Sequence, residues 1–195
     1  MDRLEQTELF QAASCIALYH AIPGEVQTAG FIEKWYQKKK LLLPLIVGDD
    51  LRLLLYEGPE SLKPGPFGIL EPKADGIEVP KNEIDLIIVP GVAFDKDKNR
   101  MGRGRGFYDR LLSTLNAPKV GICFGFQMIP QVPVEPLDKK MDYVITEDTM
   151  YCSLRRIYTY WVKPYILTGA GQYMLLDPVS NIANGKATLN EKRYW

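Results

Sequence analysis

The sequence predicts an α/β fold of three layers, Rossmann-like, in which a mostly parallel sheet carries helices on both faces. Three observations point to it. Short runs of almost continuous apolar residues recur along the chain, "CIALY" at 15–19, "KLLLPLIV" at 40–47, "IDLIIVP" at 84–90 and "KVGICFG" at 119–125. Strands that are apolar on both sides belong to parallel sheets buried between helices. Helix-compatible stretches fall between several of these runs, which is the alternation of α/β proteins. Pro-Gly pairs at 23–24 and 90–91 cut two of the runs short, placing loops directly after strands.

Taken in order, residues 2–12 predict a short helix with Leu4, Leu9 and Phe10 on one face. "CIALY" is a buried strand. Thr28 stands at the N-cap of a helix over 29–39 that turns Phe31, Ile32 and Trp35 inward. "KLLLPLIV" and "LRLLLYE" form two strands joined by the turn "GDD". Residues 57–82 hold five prolines and four glycines and predict a long loop excursion. "IDLIIVP" is the clearest strand. A charged, glycine-rich loop follows it, then a helix near 106–115, the strand "KVGICFG", and a last strand in "MDYVITE". The expected division is an α/β domain over 1–149 and a tail of unassigned structure over 150–195, aromatic but without helical or strand period. No internal repeat or low-complexity tract interrupts this order.

The bulk properties narrow the function. A chain of 195 residues is long enough for one well-buried domain. Lys plus Arg and Asp plus Glu both number 24, so nothing in the overall charge favours nucleic acid or an anionic membrane. Three scattered cysteines make neither a disulfide framework nor a zinc cluster. No apolar run approaches the roughly 20 residues that span a bilayer, and the start of the chain lacks a signal-peptide core. The expectation is a cytoplasmic monomer that acts on small molecules.

The informative stretch is "VPGVAFDKDKNRMGRGRGFYDR" at 89–110. In α/β sheets ligands sit beyond the carboxyl ends of strands, where a loop enters a helix. Gly102, Gly104 and Gly106 allow backbone N–H groups to approach an anion closely. Arg100, Arg103 and Arg105 supply charge-assisted contacts to phosphate oxygens. Asp109 lies where a carboxylate could share Mg²⁺ with a phosphate. By spacing alone, three readings stand side by side: an anion cradle, a structural turn with solvated arginines, and a short RNA-binding segment. The lone histidine, His20, closes an apolar strand and fits a structural or pocket-lining place better than a catalytic one.

The longer pattern "IDLIIVPGVAFDKDKNRMGRGRGFYDRLL" resembles the signature of the 5-formyltetrahydrofolate cyclo-ligase family. "LYHAIPGEVQT", "KKKLLLPLIV", "FGILEP" and "PVEPLDKKMDYVITE" resemble further family segments in the same order, over roughly residues 4–148. The resemblance implies a cyclo-ligase-type fold and the ATP- and Mg²⁺-dependent conversion of 5-formyltetrahydrofolate to 5,10-methenyltetrahydrofolate, with ADP and phosphate released. It implies ATP contacts from Arg100, Met101, Gly102, Arg103, Gly104, Arg105, Gly106, Phe107 and Tyr108. It implies folate contacts from Ile22, Glu25 and Gln27 and from Arg103 through Phe107. Arg103, Arg105 and Tyr108 would carry catalysis, and Asp109 and Asp138 would hold Mg²⁺. Three departures bear on this. The family's basic N-terminal helix is matched only by Arg3; "EPLD" puts Leu137 where a histidine is common; and residues 150–195 match nothing in the pattern. They leave as an alternative a non-catalytic member that binds folate or nucleotide without turnover.

Overall fold

The fold is described from a computed structural model covering residues 1–65 and 70–152, together with the backbone of 165–167 and 173–175. The chain divides into two compact units, Met1–Ser153 and Leu154–Trp195. In the first, five parallel strands form the centre of the sheet: β1 (Cys15–Ala17), β2 (Lys40–Val47), β6 (Leu86–Val89), β9 (Lys119–Ile122) and β10 (Tyr143–Ile145). Two antiparallel strands, β3 (Asp50–Leu55) and β11 (Met150–Cys152), close its edges, giving the order β11-β10-β9-β6-β1-β2-β3.

Period-two alternation along these strands divides the core into two layers. Ile16, Leu41, Leu43, Leu86, Ile88, Val120 and Ile122 face one side. There they meet Leu4 of α1 (Asp2–Glu5), Phe10 of α2 (Glu8–Ala12), and Phe31 and Ile32 of α3 (Ala29–Trp35). Ala17, Leu42, Ile87, Val89 and Val144 face the other side, against Leu111 and Leu112 of α4 (Phe107–Ser113). The three-layer α/β reading is therefore correct, and every central strand predicted from sequence is present.

Local differences have local causes. The helix expected over 2–12 is two helices, because the Thr7 side chain accepts the Phe10 N–H at 3.2 Å and starts a second one. Thr28 caps by position only. Its hydroxyl donates instead to Tyr19 O at 2.8 Å and accepts from Ala21 N–H at 3.0 Å, tying the loop after β1 back on itself. The helix it begins ends at Trp35 rather than 39, and Lys38 N–H and Lys39 N–H both turn back to Trp35 O. Within the 57–82 excursion, β4 (Leu62–Pro64) and β5 (Leu70–Pro72) pair as a small antiparallel ladder; residues 66–69, which include the first three of "FGILEP", lie outside the described residues. The tail begins with an ordered strand, β11, whose Met150–Cys152 pairs with β10. Beyond it, the second unit contains the antiparallel pair β12 (Tyr165–Leu167) and β13 (Tyr173–Leu175), and the rest of 153–195 lies outside the described residues.

Two glycines make room for one side chain. A Cβ on Gly91 or on Gly121 would stand 2.5 Å from the ring of Phe94, which is fully buried between the sheet and the loop that follows β6. Gly121→Ala is accordingly expected to destabilise the protein by about 1–3 kcal/mol through overpacking, readable as a lower urea midpoint at unchanged slope.

Candidate active site

The central strand order places β2 on one side of β1 and β6 on the other, so the loops leaving β1 and β6 diverge. Such a switch point opens a crevice at the carboxyl edge of a doubly wound sheet. The loops concerned are 18–28 and 90–106. They meet through Arg103, whose Nη2 lies 3.5 Å from Glu25 Oε1.

The first loop is tied by its own polar groups. Tyr19 Oη donates to Val26 O at 2.8 Å. Glu25 Oε2 accepts the Ile22 N–H at 3.2 Å, and the Gln27 amide donates to Ile22 O at 3.4 Å and Glu25 O at 3.0 Å. Gly24, at φ 92°, lets the chain reverse between them. Ile22, Glu25 and Gln27 thus form one turn, with the Glu25 side chain 13% exposed at its tip. His20 sits at the entrance to this loop. Burial lowers its pKa, against a smaller opposing effect of a hydrogen bond to the Ala21 backbone, so the ring is neutral at pH 7.

The second loop is built on Asp95, which is buried and gathers donors. Its carboxylate accepts from Asn99 N–H at 2.9 Å, Asn99 Nδ2 at 2.8 Å and Val132 N–H at 3.0 Å. Burial alone would raise its pKa, but these hydrogen bonds outweigh that and hold it below the usual carboxylate range. A depressed folded-state pKa adds stability that is complete above the unfolded value, roughly 3.9, and is lost as pH falls through the folded value. Asp95→Asn is expected to cost about 2–3 kcal/mol at pH 7. In urea unfolding its deficit against wild type should shrink as the pH drops below the usual carboxylate range, through the lowered folded-state value.

From this base a two-residue ladder, β7 (Ala93–Phe94) with β8 (Arg100–Met101), carries the chain into the glycine segment. Arg100 turns inward, its side chain only 4% exposed. Its Nη2 is 2.9 Å from Asp109 Oδ2, its Nη1 donates to Pro90 O at 3.4 Å, and its guanidinium lies 5.6 Å from the centre of the Tyr108 ring. A Cβ on Gly102 would stand 2.8 Å from Arg100 Nη1, so this glycine is needed for the arginine to lie where it does. Met101 is half-buried in β8.

Beyond Gly102 the character reverses. Gly104 (φ 85°) and Gly106 (φ 66°) adopt left-handed backbone, and Gly106 is the N-cap of α4. Arg103 is 62% exposed, and Arg105 is exposed without a hydrogen bond or ion pair among the described residues. Phe107 packs under the Arg110 guanidinium at 5.4 Å, and Arg110 in turn donates to Asp49 O at the β2–β3 turn. Tyr108 is half-buried. Burial first, and then the charge of Glu25, raise its phenol pKa, so it is a neutral hydroxyl at any physiological pH.

Of the two predicted metal ligands, Asp109 Oδ1 accepts from the Lys139 N–H at 3.2 Å, which ties it to the segment that carries Asp138, and Asp138 Oδ2 accepts from Glu135 N–H at 2.7 Å. Among the described residues no group of three or more His, Cys, Asp or Glu gathers as a metal centre. Mg²⁺ is held by one or two carboxylates when phosphate oxygens and water complete its shell; Asp109 already has a partner on each oxygen, Arg100 and the Lys139 N–H, while Asp138 is engaged at Oδ2.

Sequence reasoning missed several groups that shape this edge. Gln127 donates to Gly91 O at 3.0 Å and to Val92 O at 3.1 Å, pinning the loop after β9 to the loop after β6. Glu147 accepts the Gly125 N–H at 2.8 Å, and Arg3 donates to Glu147 O at 2.9 Å, which brings α1 to the carboxyl end of β10. These pairings are separated by 22 to 144 residues and leave no periodic trace in the sequence. No helix among the described residues is long and apolar enough to cross a membrane.

Comparison with known proteins agrees with this geometry. Residues 1–147 match the model of the 5-formyltetrahydrofolate cyclo-ligase family. The chain is 38% identical to the 5-formyltetrahydrofolate cyclo-ligase of Haemophilus influenzae over 134 residues, covering 65% of this chain and 72% of that protein. It is 33% identical to the Escherichia coli K12 enzyme of the same name over 147 residues, covering 71% and 81%. The solved 5,10-methenyltetrahydrofolate synthetase of Aquifex aeolicus superposes with a TM-score of 0.70 at 35% identity, covering 77% of each chain. With the match running through both loops of the crevice and the sheet that carries them, this chain belongs to the 5-formyltetrahydrofolate cyclo-ligase family.

Proposed function

We propose that the chain is an ATP-dependent ligase converting 5-formyltetrahydrofolate to 5,10-methenyltetrahydrofolate, with the crevice between loops 18–28 and 90–106 as its active site. The observation that carries this is the meeting of Glu25 and Arg103 at the switch point. It sets the turn proposed for the folate against the segment proposed for ATP. The formyl oxygen attacks the γ-phosphorus and the bond to ADP breaks. N10 then attacks the formyl carbon, the carbon–oxygen bond to phosphate breaks, and the N10 proton is lost.

An amide-like oxygen leaves poorly, and phosphorylation makes it a good leaving group. The protein's task is then position and charge. Arg103 and Arg105, both exposed on the glycine segment, are suited to the charge of the transferring phosphoryl group. Gly102, Gly104, Gly106 and Phe107 offer backbone to the same group, while Ile22, Glu25 and Gln27 would orient the folate. Tyr108, held neutral, serves as a hydrogen-bond donor and not as a base. Arg100 and Met101 contribute from beneath, with Arg100 fixing Asp109. Mg²⁺ held by Asp109 and Asp138 would neutralise charge on the β- and γ-phosphates. We read the chain as a cytoplasmic monomer, with residues 1–149 as the catalytic domain and 150–195 as an addition to it.

Purified protein given ATP, Mg²⁺ and 5-formyltetrahydrofolate should develop the absorbance of the methenyl product. Its absence at high protein concentration would refute the reading.

A further inference from the structure

Eight large apolar side chains are exposed among the described residues: Ile46 and Val47 at the end of β2, Leu70 and Ile77 in the 57–82 excursion, Val92 after β6, Phe126 after β9, and Val134 and Leu137 on the segment between β9 and β10; Phe126 and Leu137 reach 80%. Parallel strands end together, so Val47, Val92 and Phe126, each at or just past the end of a parallel strand, share the carboxyl edge that carries the crevice. Phe126 is the largest of them, and it is held in place. Its ring stacks on that of Phe124 at 5.4 Å with an interplanar angle of 11°. The backbone on either side is fastened, Gly125 N–H to Glu147 and the Gln127 amide to Gly91 O and Val92 O. A solvent-facing ring on a fastened backbone has little backbone freedom to lose on binding and offers an open π-face.

We propose that Phe126 is a binding residue, a shelf on which the flat heterocycle of one of the two substrates stacks. Phe124 lies alongside, nearly parallel and offset, so the two rings form one platform. Two partners share this chemistry, the purine of the nucleotide and the pterin of the folate. Gln127 fastens the platform directly to the loop that leads into the glycine segment, so a base stacked on Phe126 would lie on the phosphate-binding side of the crevice. The inference rests on the function proposed above.

The test is calorimetric titration of the full chain and its Phe126→Ala and Phe126→Trp variants with a non-hydrolysable ATP analogue and, separately, with 5-formyltetrahydrofolate. The expected result is that Phe126→Ala weakens one ligand about tenfold or more and leaves the other within twofold. Phe126→Trp should retain wild-type affinity, and both variants should melt within about 2 °C of wild type because the ring is exposed. The ligand that weakens identifies the stacked heterocycle. If both affinities stay within twofold, or if Phe126→Ala lowers the melting temperature by several degrees without changing either, the platform is packing and the inference falls. If the wild-type chain binds neither ligand, the proposed function itself is at fault.

Discussion

Arg100→Ala is expected to lose about 3–5 kcal/mol of stability and all measurable turnover. Its guanidinium is almost wholly removed from water and has three neighbours, Asp109 at 2.9 Å, Pro90 O at 3.4 Å and the Tyr108 ring at 5.6 Å. Deleting it leaves the Asp109 carboxylate, itself only 19% exposed, with the Lys139 N–H as its remaining partner. An uncompensated, partly buried charge dominates the cost, and the lost packing against Gly91 and Gly102 adds to it. Arg100→Lys should recover only part, because one ammonium cannot reach a carboxylate, a carbonyl and an aromatic face together. Pairing Arg100→Met with Asp109→Asn removes both charges and should restore much of the stability without activity. Urea unfolding of the three variants checks this; a loss below about 1 kcal/mol for Arg100→Ala would show that the pair is not what holds the loop.

Arg103→Ala should do the opposite, lowering kcat by about 10²–10³-fold while leaving the melting temperature within about 2 °C. Its side chain is 62% exposed and its one polar contact is the 3.5 Å approach to Glu25, an arrangement worth little to folding. Charge delivered to a transferring phosphoryl group is worth far more, since it acts only where negative charge develops. Arg103→Lys should keep part of the rate, having charge without the bidentate fork. Steady-state kinetics with ATP and 5-formyltetrahydrofolate decide the matter. An unchanged kcat with raised KM for both substrates would instead assign Arg103 to binding alone.

These two arginines, three residues apart in "RMGR", look alike in the sequence. Both are basic, both flank glycine, and both resemble family positions for phosphate contact. The difference arises because Arg100 begins a strand in which it pairs with Phe94, which points its side chain under the loop, whereas Arg103 lies beyond Gly102, where the backbone leaves the ladder. A similar ambiguity holds for Asp109. Its helix position was readable, but its ties to Arg100 and to the Lys139 N–H depend on segments brought together across 9 and 30 residues.

Most of the architecture was legible beforehand because central parallel strands must be apolar on both faces. The runs at 15–19, 40–47, 84–90 and 119–125 could scarcely serve another purpose. Less legible were the edges. The ladder of β4 and β5 hid within a stretch rich in Pro and Gly, and β11 hid in the aromatic tail, since edge strands need only one buried face and short pairing. Phe126 gave no signal either. Its neighbours in sequence belong to a core strand, and only the fold shows that the chain has already left the core when it reaches that ring.

By itself, then, the sequence determined the three-layer α/β class, the family, and the short list of residues on which the chemistry would rest. Apolar periodicity and a long contiguous motif are properties of neighbouring positions, and neighbours are what a sequence displays. The tertiary structure alone decided that Glu25 meets Arg103, that Arg100 is buried while Arg103 and Arg105 are exposed, and that an aromatic pair stands at the same edge. Each of these depends on strand order and on the direction a side chain takes as it leaves the backbone. Those are set by packing between segments far apart in the chain.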